Sequence, residues 1–129
     1  MPKHIRVVVG VIENEFGQIL ISQRQGQQHL AGLWEFPGGK LDAGESAEQA
    51  LSRELKEELG IEVLQADFLF DIKHTYPEKS VCLHIFHVKA FSGVEQGLEG
   101  QPLRWLARAD IDTVELPPAN KAIVEWLQS

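Results

Sequence analysis

Three carboxylates stand close enough together in the sequence to share one chemical task. Glu54, Glu57 and Glu58 lie at spacings of three and four residues, so on a helix they project from neighbouring positions. Like charges at these spacings destabilise a helix by a few tenths of a kcal/mol per pair. A hard divalent cation removes that repulsion, because Mg²⁺ binds carboxylates, a carbonyl and waters and usually shares its site with substrate phosphates. The glutamates therefore predict a magnesium site, and the alternative is a solvated acidic helix face.

The element that must position these glutamates is a helix predicted over residues 46–59. Ser46 followed by Gln49 forms a capping-box pair at its start, and Gly60 stands where a left-handed C-terminal cap is expected. The apolar stripe of this helix consists of Ala47, Leu51, Leu55 and Leu59. Glu58 falls inside that stripe, where a carboxylate must be paired or bind a cation, because burying it alone is very costly.

The spacing around this helix is that of a long and specific motif. Gly39 is followed after five residues by Glu45, and after seven more by residues 53–61, which read RELKEELGI. Residues 39–61 match every fixed position of the Nudix box, and the chain resembles the Nudix hydrolases, which cleave nucleoside diphosphates linked to another group. The resemblance implies an α/β (α+β) fold, an α/β/α sandwich around a mixed β-sheet. In it the box forms a loop–helix–loop that holds Mg²⁺, with Mn²⁺ as a substitute.

The resemblance extends over nearly the whole chain to the MutT branch of this family, the bacterial 8-oxo-dGTP diphosphatases. The segments that carry it are Arg24, His29, residues 35–39, residues 99–102 and residues 117–120. It implies hydrolysis of 8-oxo-dGTP to 8-oxo-dGMP and pyrophosphate. This reaction sanitises the nucleotide pool that feeds DNA replication and so prevents mutations.

Carried over residue by residue, the resemblance assigns the metal site and the catalytic residues. It implies that the metal is held by the Gly38 carbonyl and by Glu54, Glu57 and Glu58, with Glu99 joining when nucleotide is present. The same three helix glutamates are the implied catalytic residues, and Glu54 or a neighbour orients or deprotonates the attacking water. The alternative for Glu99 is an ordinary turn residue.

The substrate-binding residues also follow from the resemblance. Arg24 is expected at the phosphate or sugar end of the nucleotide and His29 at the sugar or base. Asn120 reads the purine edge, since its amide offers both a donor and an acceptor. The further residues expected to bind substrate are Glu35, Phe36, Pro37, Gly38 and Lys79. The alternatives are that Arg24 is an exposed strand-end charge and that Asn120 caps the last helix.

Lys79 is a departure from the branch, which usually shows an aromatic residue, proline, an acid and arginine at this place. Here the segment reads Tyr76-Pro-Glu-Lys79. Lysine keeps the charge but loses the planar two-pronged donor geometry of arginine. The substitution therefore changes any contact made with the base at this position.

Length, composition and charge predict one domain spanning residues 1–129. The chain has 43% hydrophobic and 24% charged residues and a net charge of −7. That charge argues against binding a nucleic-acid polymer but permits an anionic nucleotide whose phosphates are neutralised by metal. The single Cys82 excludes an internal disulfide and fits a reducing compartment, and no membrane span or secretory segment is visible. We therefore expect a cytoplasmic monomer that binds no membrane.

The remaining segments predict a β-rich scaffold around the box. Residues 5–12 are β-branched and apolar on both faces, and together with residues 18–24 they predict a hairpin. Residues 25–33 form a polar loop, a common place for ligand contacts. Further predicted elements are strands at 67–76, 80–91 and 103–106, an irregular segment or helical turn at 110–116, and a terminal helix at 119–127.

Two histidines raise the question of a zinc site. His84 and His87 are three residues apart in a predicted strand, so they project from opposite faces. This is poor geometry for a shared metal, and no cysteine cluster accompanies them.

Two other functions compete with the MutT reading. One is a different Nudix activity, on CTP, 5-methyl-dCTP or dNTPs in general. The other is a non-catalytic module that recognises oxidised guanine for a DNA repair glycosylase. Loss of box glutamates would favour such a module, but all are present, and the expected basic surface is absent.

Overall fold

The computed structural model describes residues 3–25 and 32–129. Within these residues the chain forms two α-helices and seven strands, with short 3₁₀ segments at Arg108–Thr113 and Pro118–Asn120. In chain order the elements are β1 Lys3–Ile12, β2 Gln18–Gln23, β3 Trp34–Glu35, β4 Gly38–Lys40, α1 Ala47–Leu59, β5 Glu62–Thr75, β6 Lys79–Ser92, β7 Leu103–Ala107 and α2 Lys121–Leu127.

The strands form two sheets. A four-stranded sheet has the order β4-β1-β6-β5, in which β1 and β6 run parallel and the other neighbours run antiparallel. A three-stranded antiparallel sheet has the order β3-β2-β7. The larger sheet is therefore mixed, as predicted.

Helix α1 covers one face of the four-stranded sheet. Leu51, Leu55 and Leu59 are buried against Val8 and Phe86. Ser46 caps the start of the helix through the predicted capping box with Gln49, and Gly60 ends it with a φ of 70°. These local predictions are confirmed.

The opposite face of the large sheet packs on the small sheet and on α2. This second apolar cluster includes Val9 and Val11 of β1, Ile19 and Ile21 of β2, and Ile123 and Leu127 of α2. Because α1 and α2 lie on opposite sides of the large sheet, the predicted α/β/α sandwich is confirmed.

The predicted hairpin between residues 5–12 and 18–24 is wrong. β1 and β2 belong to different sheets, and a single bridge between Glu13 and Ile19 joins the two segments. β1 instead pairs with β4 on one side and β6 on the other, so both of its edges are occupied. The Asn14 side chain accepts the Phe16 and Gln18 N–H groups, and the turn that it stabilises passes the chain between the two sheets.

Several element boundaries also differ from the sequence-based ones. β5 begins at Glu62 rather than 67, and the terminal helix begins at Lys121 after a 3₁₀ turn. The short strands Trp34–Glu35 and Gly38–Lys40 were not predicted, because two or three residues carry no readable alternation. No helix in the described ranges is long and apolar enough to cross a membrane.

Candidate active site

The start of the site is a tight contact between β4 and α1. The Glu54 carboxylate lies directly against Gly39, where a side chain would overlap it. The Glu54 side chain is 16% exposed, whereas that of Glu57 is 58% exposed. Burial raises the pKa of Glu54, and the hydrogen bond from Arg53 opposes this shift. Of these two glutamates, Glu54 is therefore the one held inside the site.

Arg53 fixes the loop before α1 to the helix itself. Its guanidinium donates to both Glu45 oxygens at 2.7 and 2.9 Å and to the Lys40 carbonyl at 3.1 Å. It also reaches Glu54 at 3.0 Å and Glu57 at 3.2 Å. These hydrogen bonds lower the pKa of Glu45 to about 2. Arg53 and Glu45 therefore tie the loop before α1 to the helix.

Glu58 has a buried carboxyl oxygen without a hydrogen-bond partner and a strongly raised pKa. It lies within the apolar face of α1, and its buried Oε2 has no hydrogen-bond partner among the described residues. Burial, followed by the nearby charges of Glu54, Glu99 and Glu35, raises the pKa of Glu58 to about 9. Such a group is costly unless it binds a cation.

The donor set fits a hard divalent cation. Glu58 brings an unpaired buried oxygen, and Glu54 and Glu99 bring carboxylates close enough to influence its charge. Gly38 lies at the same end of the site, beside Gly39 and Glu54. All these donors are oxygens, which suits Mg²⁺ or Mn²⁺ rather than a soft metal.

Alanine substitutions at Gly38 and Gly39 should have different effects, the first on stability and the second on activity. A Cβ at Gly38 would overlap the backbone carbonyl of Val8, which cannot move without breaking the β1–β4 pairing. We expect Gly38→Ala to lower the free energy of unfolding by about 1–3 kcal/mol, the range for overpacking. The three atoms nearest to a Cβ at Gly39 all belong to the Glu54 carboxyl, at the end of a side chain that can move, so Gly39→Ala should fold but lose activity.

Chemical denaturation and steady-state kinetics on both variants test this contrast. The expected pattern is a stable, slow Gly39→Ala and a destabilised Gly38→Ala. Full activity in Gly39→Ala would contradict the placement of Glu54.

A cavity of about 470 Å³ extends from these carboxylates across the face of the large sheet. Its apolar wall is formed by the cross-strand pairs Ile5–Val81 and Val7–Leu83 on the parallel strands β1 and β6. Gly38 pairs with Val9, whereas Lys79 pairs with Lys3. Six residues of strand, about 20 Å, separate these two positions, so the cavity suits an elongated ligand with an anionic end and a ring end.

At the cavity wall next to β3, Arg24 and Glu35 form an ion pair of 2.6 Å. Burial raises the pKa of Glu35, although Arg24 opposes the shift. Phe36 lines the cavity and is buried, while Pro37 is outside the lining and its carbonyl accepts the Gly10 N–H at 2.8 Å. The structure thus brings Arg24, Glu35 and Phe36 to the cavity, and places Pro37 in the scaffold.

At the far end the cavity is lined by Tyr76 and Lys79, and Asn120 is a further lining residue. The Lys79 ammonium lies 5.4 Å from the centre of the Tyr76 ring. Asn120 is buried, and within the described chain its side chain makes no capping hydrogen bond to α2. Its Nδ2 donates a long hydrogen bond of 3.4 Å to the Pro117 carbonyl. The Asn120 side chain therefore does not cap α2, and the alternative role for this residue is wrong.

His29 lies outside the described residues. The other predicted site residues are placed, and all but Pro37, Glu54 and Glu57 line the cavity directly. Glu54 sits behind Gly39, and Glu57 faces Arg53.

Sequence reasoning missed the apolar wall and the polar residues Ser22, Gln23 and Gln101 of the cavity. A signal for the wall was present, because residues 5–12 are apolar at both odd and even positions. The even-numbered residues Val8 and Ile12 face α1, whereas of the odd-numbered ones Val9 and Val11 pack in the second core and Ile5 and Val7 line the cavity. The polar residues carried no comparable pattern.

The histidines of β6 belong to separate networks on opposite faces of the sheet, as predicted. His87 Nε2 lies 2.7 Å from Glu13, while His84 Nδ1 lies 2.6 Å from Asp71. Ligand atoms of Asp71, Cys82 and His84 lie within 4.8 Å of one another. However, the Arg6 guanidinium donates to His84 Nε2 at 3.1 Å, which leaves the proton on Nδ1 and puts a cation beside the group. This cluster ties β1, β6 and β5 together.

Comparison with known proteins finds relatives that match almost the whole chain. A model of the NUDIX domain family matches residues 8–126. The 8-oxo-dGTP diphosphatase of Haemophilus influenzae is 43% identical over 125 residues, covering 97% of this chain and 92% of that protein. The CTP pyrophosphohydrolase of Escherichia coli is 41% identical over 95% of this chain and 90% of its own length.

A solved structure agrees with the fold. It comes from work on MutT of Aliivibrio salmonicida and Vibrio cholerae, and it superimposes with a TM-score of 0.85 at 37% identity, covering 97% of both chains.

Proposed function

Because this chain belongs to the NUDIX family, we propose that it is a pyrophosphohydrolase that converts 8-oxo-dGTP to 8-oxo-dGMP and pyrophosphate. The observation that carries this proposal is the unpaired Glu58 oxygen among carboxylates at one end of a cavity that Asn120 also lines. The names of its relatives add support, since the Haemophilus influenzae protein is an 8-oxo-dGTP diphosphatase.

Nudix hydrolases generally use divalent metal ions, and we propose Mg²⁺, with Mn²⁺ as a substitute. The residues that would hold it are Gly38, through its carbonyl, and Glu54, Glu57, Glu58 and Glu99. When bound, the ion polarises the phosphate and lowers the pKa of a coordinated water. Glu57 is exposed and accepts a hydrogen bond from Arg53 at 3.2 Å.

Glu54 is the proposed general base. Its raised pKa brings the group closer to the operating pH, where proton transfer is most efficient, and Arg53 holds one of its oxygens at 3.0 Å. Glu54 takes the proton from the attacking water, whose oxygen bonds to the β-phosphorus. The bond from that phosphorus to the α–β bridging oxygen breaks, and this oxygen leaves with the nucleoside monophosphate.

The opposite end of the cavity is proposed to bind the nucleoside. The apolar wall accepts the face of a flat base, and the Asn120 amide offers a donor and an acceptor to its edge. Arg24, which forms an ion pair with Glu35, is proposed to bind the phosphate or sugar end. A site whose polar groups are left unpaired by the wrong base can discriminate by about 10⁴.

We further propose that the chain works as a single-domain monomer in the cytoplasm, where it sanitises the nucleotide pool before DNA replication. The net charge of −7 supports a nucleotide rather than a nucleic-acid polymer as partner.

The position of attack is tested by hydrolysis in ¹⁸O-labelled water. Attack at the β-phosphorus puts the label in pyrophosphate, which mass spectrometry detects. Label in the nucleoside monophosphate would mean attack at the α-phosphorus and would contradict the assigned chemistry.

A second candidate substrate is a pyrimidine nucleotide such as CTP or 5-methyl-dCTP. Two observations favour it: the CTP pyrophosphohydrolase of Escherichia coli is 41% identical, and Lys79 lines the cavity where the MutT branch usually has arginine. A lysine offers one point charge, whereas arginine offers a planar fork.

A further inference from the structure

The loop between β6 and β7, residues 93–102, is fastened to the C-terminal end of α1. The Gln96 N–H donates to the Leu59 carbonyl at 2.9 Å, and the Leu98 N–H donates to the Glu58 carbonyl at 3.1 Å. The last carbonyls of a helix have no partner within the helix. The loop therefore supplies hydrogen bonds that the end of α1 needs.

Gln101 adds a side-chain bridge to the same place. Its Nε2 donates to the Glu58 carbonyl at 3.1 Å, and its Oε1 accepts the Glu99 N–H at 2.9 Å. Because one partner is a carbonyl and the other an N–H group, only one orientation of the amide satisfies both. Gln101 thus joins the backbone of Glu58 to the backbone of Glu99.

The glycines of this loop allow that bridge to form. A Cβ at Gly97 would overlap the Gln101 carbonyl oxygen, and Gly100 has a φ of +81°. The Gly100 N–H closes the turn onto the Gly97 carbonyl at 2.9 Å. The backbone around Glu99 is therefore folded tightly over the amide of Gln101.

We infer that Gln101 is a positioning residue that holds Glu99 beside Glu58, so that both carboxylates face the same end of the cavity. Both residues line that cavity, as does Gln101 itself. Without the bridge, the Glu99 N–H loses its acceptor and the loop keeps only its backbone hydrogen bonds to α1. The part of this inference that concerns catalysis rests on the proposed function.

Gln101→Met tests the inference, because it keeps the length of the side chain and removes both its donor and its acceptor. The matched control is Gln96→Met in the same loop, since Gln96 is exposed and holds α1 through its backbone.

The first readout is amide hydrogen exchange in metal-free protein. Losing two hydrogen bonds, one of which is made by the Glu99 N–H itself, should speed exchange of the Glu99 amide by about tenfold or more in Gln101→Met. The control should leave it unchanged. Equal exchange in Gln101→Met and wild type would overturn the positioning role, whatever nucleotide the protein hydrolyses.

The second readout is the Mg²⁺ concentration that gives half-maximal hydrolysis. A variant that is less stable but keeps the site intact would show the wild-type value. We expect this Mg²⁺ concentration to rise about tenfold in Gln101→Met, because the two hydrogen bonds that position Glu99 are lost. In Gln96→Met it should stay constant. In the background of Glu99→Gln, Gln101→Met should add nothing further, because its effect acts through Glu99. Independent, additive losses would overturn the inference.

If wild-type protein hydrolyses no nucleoside triphosphate, the proposed function fails by itself. Mn²⁺ binding in the presence of α,β-imido-dGTP, followed by electron paramagnetic resonance, then replaces the rate measurement. Weaker Mn²⁺ binding in Gln101→Met than in Gln96→Met supports the positioning role, and equal binding overturns it.

Discussion

Glu54→Gln should lower kcat by about 10³-fold or more, equivalent to about 4 kcal/mol of transition-state stabilisation, while the protein stays folded. The substitution keeps the volume of the side chain but removes its ability to accept a proton. It also removes one negative charge from the proposed metal site. Glu54 lies between Gly39 and Arg53, and the amide of the variant is expected to occupy the same place.

The matched control is Glu48→Gln, an equivalent change at an exposed position in the first turn of the same helix. It should leave kcat and KM unchanged. Circular dichroism and thermal unfolding establish that both variants are folded. A rate for Glu54→Gln within a few fold of wild type would remove Glu54 from the mechanism.

Without metal, the free energy of unfolding should fall as pH rises from about 4.5 to about 9. The cause is Glu58, whose pKa is raised from 4.5 to about 9 by burial and by the neighbouring carboxylates. Between these values the unfolded chain releases a proton that the folded protein retains, so stability decreases with a slope of up to about 1.4 kcal/mol per pH unit. Glu35 and Glu54, whose pKa values are also raised, add slopes of the same sign.

Glu45 and Glu13 act in the opposite direction and in a different range. Their pKa values are lowered by Arg53 and Arg108 respectively, so the stability they provide is present above pH 4.5 and is lost on acidification. The decline between pH 5 and 9 therefore reports mainly on Glu58 and its neighbours.

Glu58→Gln should remove most of this decline and make the metal-free protein more stable at pH 8 than wild type. It should also abolish the stabilisation that Mg²⁺ gives to wild type, because a neutral amide is a poor ligand for this ion. Urea unfolding at several pH values, with EDTA or with Mg²⁺, measures both effects. Glu48→Gln again serves as the control. An unchanged pH slope in Glu58→Gln would contradict the burial of an unpaired carboxyl at this position.

Local features of this protein could be predicted from the sequence because their causes are local. Helix α1, the capping box of Ser46 and Gln49, and the left-handed cap at Gly60 each depend on residues within a few positions of one another. Placing Glu58 on the buried face of the helix required only its periodicity. The resemblance to the Nudix box then supplied the sandwich, which the structure confirms.

Features that depend on distant pairing could not be predicted in the same way. β1 satisfies both edges with β4 and β6, and nothing in the 5–24 region indicates that β2 joins another sheet. Gln101 bridges Glu58, which lies 43 residues before it, and Glu99, which lies 2 residues before it. The pairing of Arg24 with Glu35 is likewise set by the geometry of β2 and β3. Such contacts leave no periodic signal.

The central claim is most directly tested by measuring pyrophosphate release, with Mg²⁺, from 8-oxo-dGTP, dGTP, CTP and 5-methyl-dCTP at sub-saturating concentrations. We predict that 8-oxo-dGTP leads in kcat/KM by about a thousandfold, which corresponds to about 4 kcal/mol of selectivity. A lead by CTP or 5-methyl-dCTP would contradict the purine-reading role of Asn120, while the carboxylate site would keep its assignment.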